Sequence, residues 1–336
     1  MGGGDVLNHD PEDYTELDEE ALELDAEMLE AVFELWNAAP DQDLAGLSPN
    51  ALTELLDDPF EATDVLVFAD VLPREPRAPV TTLLAPLLEA LFEAPRRATA
   101  SGYLPRALCL DIEQRSFERH GLLPLERRRS TGGESTFRSL HVARLTATAA
   151  GLIRLHRGRF ELTRRGRRLY ERHGLAGVYP ALLRAYATRL EWSSLDAYPR
   201  AAIVQASFAF SLALLSRFGR TPRPGAFYAE RWLRAFPGTE DVFEVVPSGP
   251  SLAAPSRGSS GSRSSGSRRP AGQRERARAR AAAARRRFER CYEGRVLDRF
   301  FGYFGLATVQ RSVSDDGVSV RGTALLHDVV ARRYGG

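Results

Sequence analysis

The sequence predicts a mainly α-helical protein that carries short β-hairpins. Apolar residues recur at helical spacing over most of the chain. Within "LIRLHRGRFELT", two short alternating segments flank Arg157-Gly158, which predicts a hairpin with a tight turn. The C-terminal stretch "RFFGYFGLATVQRSVSDDGVSVRGTALLHDVV" repeats this order. There a helix, a strand, a turn at Asp316-Gly317, a second strand and a helix opened by Thr323 follow one another.

The composition excludes several classes of enzyme. All 46 basic residues are arginine, so a phosphate-loop lysine, a kinase strand lysine and a Schiff-base lysine are excluded. Cys109 and Cys291 lie far apart and form no CxxC pair, so we expect neither a zinc finger nor a disulfide framework. No histidine pair has metal-ligand spacing and no G-x-S-x-G motif is present. We therefore expect a non-catalytic protein with no metal and no cofactor.

The most apolar run predicts a core helix rather than a membrane span. "AAIVQASFAFSLALLS" is 16 residues long and lies between Arg200 and Arg217, whereas a span needs roughly 20 apolar residues. The N-terminal "MGGGDVLNHD" has no basic segment and no apolar core, so it does not read as a signal peptide. We expect no membrane partner and a cytoplasmic location.

Charge is separated strongly along the chain. Residues 1–95 hold 24 acidic residues and 2 arginines, a net charge of −22. Residues 96–174 carry a net charge of +11 and residues 175–336 a net charge of +13. Such separation predicts a polyanionic partner for the basic part, an intramolecular contact between the acidic N-terminus and a basic surface, or both. A solubilising acidic tail on an arginine-rich fold is the alternative.

Composition shifts divide the chain into six segments, which are an acidic disordered tail (1–20), an acidic helical region (21–82), a hairpin-containing domain (83–174), a helical domain (175–247), a disordered Ser/Gly/Arg-rich linker (248–284) and a C-terminal helix-hairpin-helix unit (285–336). The linker leads into an Arg/Ala-rich helix. Trp36, Trp192, Trp232 and the aromatic run "RFFGYFG" are expected in hydrophobic cores.

Residues 83–173 read as helix, short strand, helix, helix and hairpin, and "AGLIRLHRGRFELTRRGRRL" joins them to the next helix. This order resembles a winged helix-turn-helix of the MarR and PadR kinds. The resemblance implies a DNA-binding fold, and the C-terminal hairpin then predicts a second, partial winged-helix unit. Because winged helices also serve as protein-contact modules, the resemblance speaks more for fold than for function.

The layout is also similar to a group of uncharacterised bacterial proteins, some of which are fused to SEC-C zinc modules. The stretches "LSPNALTELLDDPF", "TASGYLPRALC" and "AGLIRLHRGRFELTRRG" carry that likeness. This sequence lacks the cysteines of the zinc module, so the likeness implies no metal function here.

Arginines of the predicted hairpin and its neighbours are the candidate contacts to double-stranded DNA or RNA, since guanidinium groups pair with phosphates. They are Arg138, Arg144, Arg154, Arg157, Arg159, Arg164, Arg165, Arg167 and Arg168. The arginine-rich segment 263–290 could add a second, non-specific contact.

One observation argues against recognition of a specific base sequence. The helix predicted just before the hairpin is small or apolar on two opposite faces and contains no Asn or Gln. That pattern predicts a helix packed between modules. The alternative function is therefore a structural or protein-interaction module, whose units pack on each other, on a protein partner or in a homodimer.

Overall fold

The computed structural model describes residues 28–120, 132–196, 198–244, 270–311 and 317–334. This part of the chain is mainly helical, as predicted. Its α-helices are α1 (28–38), α2 (Pro49–Asp57), α3 (Pro79–Glu93), α4 (Arg106–His120), α5 (Arg138–Ala149), α6 (Arg164–Thr188), α7 (Ala202–Ala206), α8 (Phe208–Phe218), α9 (Gly225–Ala235), α10 (Pro270–Tyr292) and α11 (Ala324–Val329). Two 3₁₀ turns, Trp192–Leu195 and Thr239–Phe243, and a π-helical segment, Glu293–Gly302, lie between them.

Three small antiparallel sheets accompany the helices. Their strands are β1 (Leu66–Phe68), β2 (Arg96–Arg97), β3 (Ile153–His156), β4 (Arg159–Leu162), β5 (Arg223–Pro224), β6 (Ala307–Arg311), β7 (Val318–Gly322) and β8 (Val330–Arg332). The sheet orders are β2-β4-β3, β5-β7-β6 and β1-β8. The first two sheets therefore share one arrangement, in which a distant short strand pairs with the second strand of a hairpin.

Local signals position the first hairpin as predicted. Helix α5 ends just before Gly151, whose φ of 70° is a left-handed conformation that suits glycine. Arg157 and Gly158 form the turn with φ values of 49° and 71°, which is the pattern of a type I′ hairpin. Thr163 then caps α6 by accepting a hydrogen bond from the Gly166 N–H at 2.9 Å.

The same local structure recurs near the C-terminus. Gly305 has a φ of 69°, and the hydroxyl of Thr323 donates to its carbonyl at 2.6 Å. We call the helices and strands from α3 to α6 the first unit and the corresponding C-terminal set the second unit. In the first unit, the Thr163 hydroxyl donates to the carbonyl of Gly151 at the same distance. The second unit is larger than the predicted 285–336, because strand β5 at Arg223–Pro224 pairs with β7. Helices α8 and α9 flank β5 in the chain as α3 and α4 flank β2, so the helical segment 175–247 contributes to this unit.

Two further segments differ from the sequence-based prediction. The region 21–82, predicted as helical, contains β1, which pairs with β8 at the other end of the chain. Helix α10 begins at Pro270, so residues 270–284 of the predicted disordered linker are helical. The predicted acidic tail, 1–20, and the predicted turn residue Asp316 lie outside the described residues.

Buried apolar residues of the two units belong to one continuous core. The predicted aromatic run contributes to it, since Phe300, Phe301 and Phe304 are fully buried. The Tyr179 hydroxyl of α6 donates to the Phe304 carbonyl at 2.6 Å and joins the units. The predicted boundary at 174/175 falls inside α6, at a kink where Gly174 has a φ of 57°.

Of the three tryptophans predicted in cores, Trp192 and Trp232 are fully buried. The prediction is wrong for Trp36, which is 69% exposed on α1. The apolar run 201–216 is a core segment as predicted, because α8 is buried along most of its length. Among the described residues, no helix combines the length and the apolarity that crossing a membrane requires.

Candidate nucleic-acid interface

The solvent side of the β2-β4-β3 sheet carries a row of basic residues. Strand pairing places Arg159 of β4 directly opposite Arg97 on one side and His156 on the other. All three are exposed. The next residue of β4, Phe160, points to the opposite side of the sheet and is buried. The alternation of side chains along the strand therefore determines which of them reach solvent.

The neighbouring row holds the one acidic residue of this surface. Arg154 lies opposite Glu161, and the Arg154 guanidinium donates to Glu161 Oε1 at 2.7 Å. His156 Nδ1 is 3.4 Å from the same oxygen. We call Arg97, Arg154, His156, Arg159 and Glu161 the hairpin face. With histidine neutral, its three arginines and one carboxylate give a formal charge of +2.

Arg157 extends this surface at the tip of the turn. It is exposed, and its φ of 49° is uncommon for a residue other than glycine, asparagine or aspartate. A type I′ turn favours Asn-Gly at these two positions. Arginine is therefore unfavourable for the turn conformation at this exposed position.

Two of the predicted arginines at the start of α6 are used for packing. Arg165 Nη1 donates to the Ala150 carbonyl at 3.2 Å. Arg167 Nη2 donates to the Phe92 carbonyl at 2.9 Å, and its guanidinium lies 4.3 Å from the centre of the Phe92 ring. These contacts hold α6 against the ends of α3 and α5 and engage part of each guanidinium group, although both residues are exposed.

The other two, Arg164 and Arg168, are exposed as well. They follow the hairpin directly and add positive charge beside it. Sequence reasoning missed Arg97, because a two-residue strand leaves no periodic pattern and its pairing with β4 is long-range. The only available signal was the basic pair Arg96-Arg97 in a short extended segment.

Arg144 was predicted as a nucleic-acid contact, and the structure contradicts this. Its residue is only 7% exposed, its Nε donates to Glu134 Oε1 at 2.5 Å, and its guanidinium lies 5.0 Å from the Phe160 ring centre. Burial raises the pKa of Glu134, but hydrogen bonds from His141, the Leu104 N–H and Arg144 outweigh burial and lower the pKa below its usual value. The charge of Arg144 is thus neutralised inside the fold.

Helix α5 is partly covered on the side that faces the second unit. The Arg138 guanidinium donates to the Leu195 carbonyl, and the Tyr303 hydroxyl donates to the Ser139 carbonyl at 2.7 Å. Helix α5 was predicted to pack between modules; these two hydrogen bonds join it to the second unit, while a cleft remains between α5 and the π-helical segment. Arg138 lines this cleft. Arg144 is buried. The nine predicted arginines therefore do not form one continuous surface.

The chain matches no protein-family model, no curated protein and no solved structure. Within the described ranges, no three His, Cys, Asp or Glu side chains come together as metal ligands. The hairpin face offers guanidinium and imidazole groups, of which Arg154 and His156 already contact Glu161.

A second basic surface lies on the first half of α10. Arg274, Arg276, Arg278 and Arg280 are all exposed there. At about 100° per residue, alternate positions point to different sides of the helix, so this charge is not confined to one face. It forms a general basic surface separate from the hairpin face.

Proposed function

We propose that this protein is a non-catalytic winged-helix protein that binds nucleic acid mainly through phosphate contacts of its first hairpin. The order α3, β2, α4, α5, β3, β4 and the sheet order β2-β4-β3 support the winged-helix assignment. The second unit, from α8 to α11, has the same order and supports a tandem arrangement.

The opposition of Arg97 and Arg159 carries the proposal. Like charges directly opposite each other across strands destabilise a sheet, and His156 extends the same row. Glu161 is engaged with Arg154 and His156 in the neighbouring row. A run of phosphates would supply the missing negative charge through bidentate guanidinium hydrogen bonds.

The covering of α5 favours phosphate contact over base reading. Base reading requires a helix whose polar side chains reach the edges of bases in the major groove. Tyr303 and Leu195 occupy part of the side of α5 away from its own unit. Contacts to phosphate position a protein on nucleic acid without reading sequence, and the exposed hairpin can make such contacts without moving α5.

The test is fluorescence anisotropy with a labelled generic DNA duplex, titrated across salt with the full-length chain. The triple variant R97T/R157N/R159T removes three cations while keeping residues that suit strands and a type I′ turn. Each lost phosphate contact lowers the slope of log K against log salt by about 0.9. If all three arginines contact phosphates, the slope should fall by about 2–3.

The matched control is R321T. Arg321 is an exposed strand arginine at the hairpin of the second unit and lies opposite Thr308. This control should leave the slope and the affinity unchanged. An unchanged slope in the triple variant, or an equal loss in the control, would refute the assignment to the first hairpin.

A separate variant tests the contribution of the basic surface of α10 to binding. Replacing Arg274, Arg276, Arg278 and Arg280 with Gln removes four exposed cations. We expect this variant to keep the part of the salt slope that depends on the first hairpin. Loss of all binding here, with full binding by the triple hairpin variant, would assign nucleic-acid contact to α10 instead.

The alternative, a protein-interaction module, is favoured by a different observation. On α1 the large apolar residues, which are Met28, Leu29, Val32, Phe33, Leu35 and Trp36, are all exposed. No duplex or RNA binding at low salt would favour this alternative. Sedimentation velocity would then show whether the partner is a second copy, because a homodimer changes the sedimentation coefficient with concentration.

A further inference from the structure

A cleft of about 640 Å³ lies between α5 and the π-helical segment Glu293–Gly302. Such a volume lies within the range of about 300–1,000 Å³ that is typical of small-molecule sites. Pro79, Val142 and Leu195 contribute apolar surface to its lining, and the rings of Tyr186 and Tyr303 contribute aromatic surface. The cleft is separate from the hairpin face and from α10, since none of their residues line it.

Two arginines give this apolar cleft hydrogen-bond donors. Arg138 donates to the Leu195 carbonyl, and no carboxylate lies within ion-pair distance of it among the described residues. Arg299 places Nη1 3.1 Å from Asp196 Oδ2, while 28% of its side chain stays exposed. Since a guanidinium has five N–H donors, both arginines keep donors for a ligand.

The carboxylates near the cleft are already neutralised by other arginines. Asp196 accepts hydrogen bonds from Arg295 Nε and Nη2, each at 2.8 Å. Asp298 pairs with Arg311. The cleft itself is lined by Arg138, Arg299, Asp196 and Asp298. Because both carboxylates are already paired, the unused N–H donors of Arg138 and Arg299 favour a negatively charged ligand.

Tyr186 supplies a further hydrogen-bond donor. The residue is almost fully buried, yet it lines the cleft. No hydrogen bond of its hydroxyl is formed within the described part of the chain. Burial raises the pKa of this hydroxyl above its usual value, so the group stays protonated and can donate at neutral pH.

We propose that this cleft is a binding site for a small amphipathic anion, with a compact negatively charged group on an aromatic or alkyl body. The charged group pairs with Arg138 and Arg299. The body lies between Val142, Tyr186 and Tyr303. A few convergent donors in a largely apolar cleft are the usual composition of a small-molecule site.

Two fluorescent probes that differ in one charge test this proposal on the full-length chain. 8-Anilinonaphthalene-1-sulfonate carries an anionic sulfonate, and N-phenyl-1-naphthylamine has the same aromatic body without it. We expect saturable binding of the sulfonate at one site per chain. The loss of one charged hydrogen bond corresponds to about tenfold in affinity, so the sulfonate should bind at least about tenfold tighter than the neutral probe.

Variant R138M separates charge from shape. It should weaken binding of the sulfonate by about tenfold and leave binding of the neutral probe unchanged, which shows that the cleft persists. Variant S139W should abolish binding of both probes, because its ring fills the cleft from the surface of α5. Equal affinity of the two probes for the wild type would overturn the assignment of an anion.

The exposed apolar face of α1 could also bind such probes, so W36S is the matched control. Trp36 is the largest apolar side chain of that face and does not line the cleft. Saturable binding should survive W36S unchanged. Loss of the signal in W36S, or its full retention in S139W, would place the probe outside the cleft and refute the proposal. Because these measurements contain no nucleic acid, their result is independent of the function proposed above.

Discussion

Replacing Arg144 with Met should destabilise the fold and leave nucleic-acid contact intact. The Glu134 side chain is fully buried, and Arg144 is its permanently charged partner. Removing one partner of a buried ion pair costs about 3–5 kcal/mol, because the other charge stays buried without compensation. Total stabilities are about 5–15 kcal/mol, so this single change removes a large share of the stability.

Urea unfolding followed by far-UV circular dichroism measures the change in free energy of unfolding. The double variant E134Q/R144M is the matched control, since a neutral amide has no uncompensated charge to bury. We expect the double variant to be more stable than R144M alone. DNA affinity measured on the folded fraction should equal that of the wild type, because Arg144 is enclosed.

The pH dependence follows from the lowered pKa of Glu134. A group whose pKa is lower in the folded state contributes stability above its unfolded pKa and loses that contribution as pH falls through the folded pKa. The wild type should thus lose this contribution below about pH 4.5, near the ordinary glutamate value. In R144M the buried Glu134 carboxylate lacks its compensating charge, so the stability deficit of this variant relative to the wild type should narrow as pH falls and Glu134 is protonated. A loss below 1 kcal/mol in R144M, with no change in acid sensitivity, would refute the buried-pair interpretation.

Three further outcomes are expected. D196N should lower the free energy of urea unfolding by about 3–5 kcal/mol, because Arg295 is only 1% exposed and would keep its charge without a carboxylate; a smaller loss than in R321T would contradict this. R157N should leave the melting temperature unchanged or raise it, since Asn-Gly suits a type I′ turn, and calorimetry would detect the opposite result. Deleting residues 1–38 should raise DNA affinity if the acidic segment competes for the basic surface. Unchanged affinity would reject that competition.

Local chemistry made the hairpins predictable. Gly151 and Gly305 end helices in a left-handed conformation, and Thr163 and Thr323 begin the next ones. Each signal acts over a few residues, so the sequence alone contains it. The mainly helical class follows from the same kind of information, because helical periodicity is also local.

Long-range pairing decided what the sequence could not predict. Strand β1 is three residues long and gains its partner only when β8, from the far end of the chain, lies beside it. Arg144 and Arg138 lie on one helix, yet only Arg144 pairs with the carboxylate of Glu134. Whether an arginine on such a helix is buried or exposed depends on which element packs against it, and the residue type alone does not indicate this.

The divergence of the two repeated units argues that the charge of the first hairpin is more than a general preference for arginine. A general preference for arginine would place similar numbers of arginines on both hairpins. In the second hairpin, however, the cross-strand pairs are Thr308 with Arg321 and Gln310 with Ser319, and Arg311 is neutralised by Asp298. The first hairpin instead sets two arginines and a histidine in one exposed row. Two units with the same sheet order thus differ in their surface charge, and the proposed phosphate contact of the first hairpin would explain that difference.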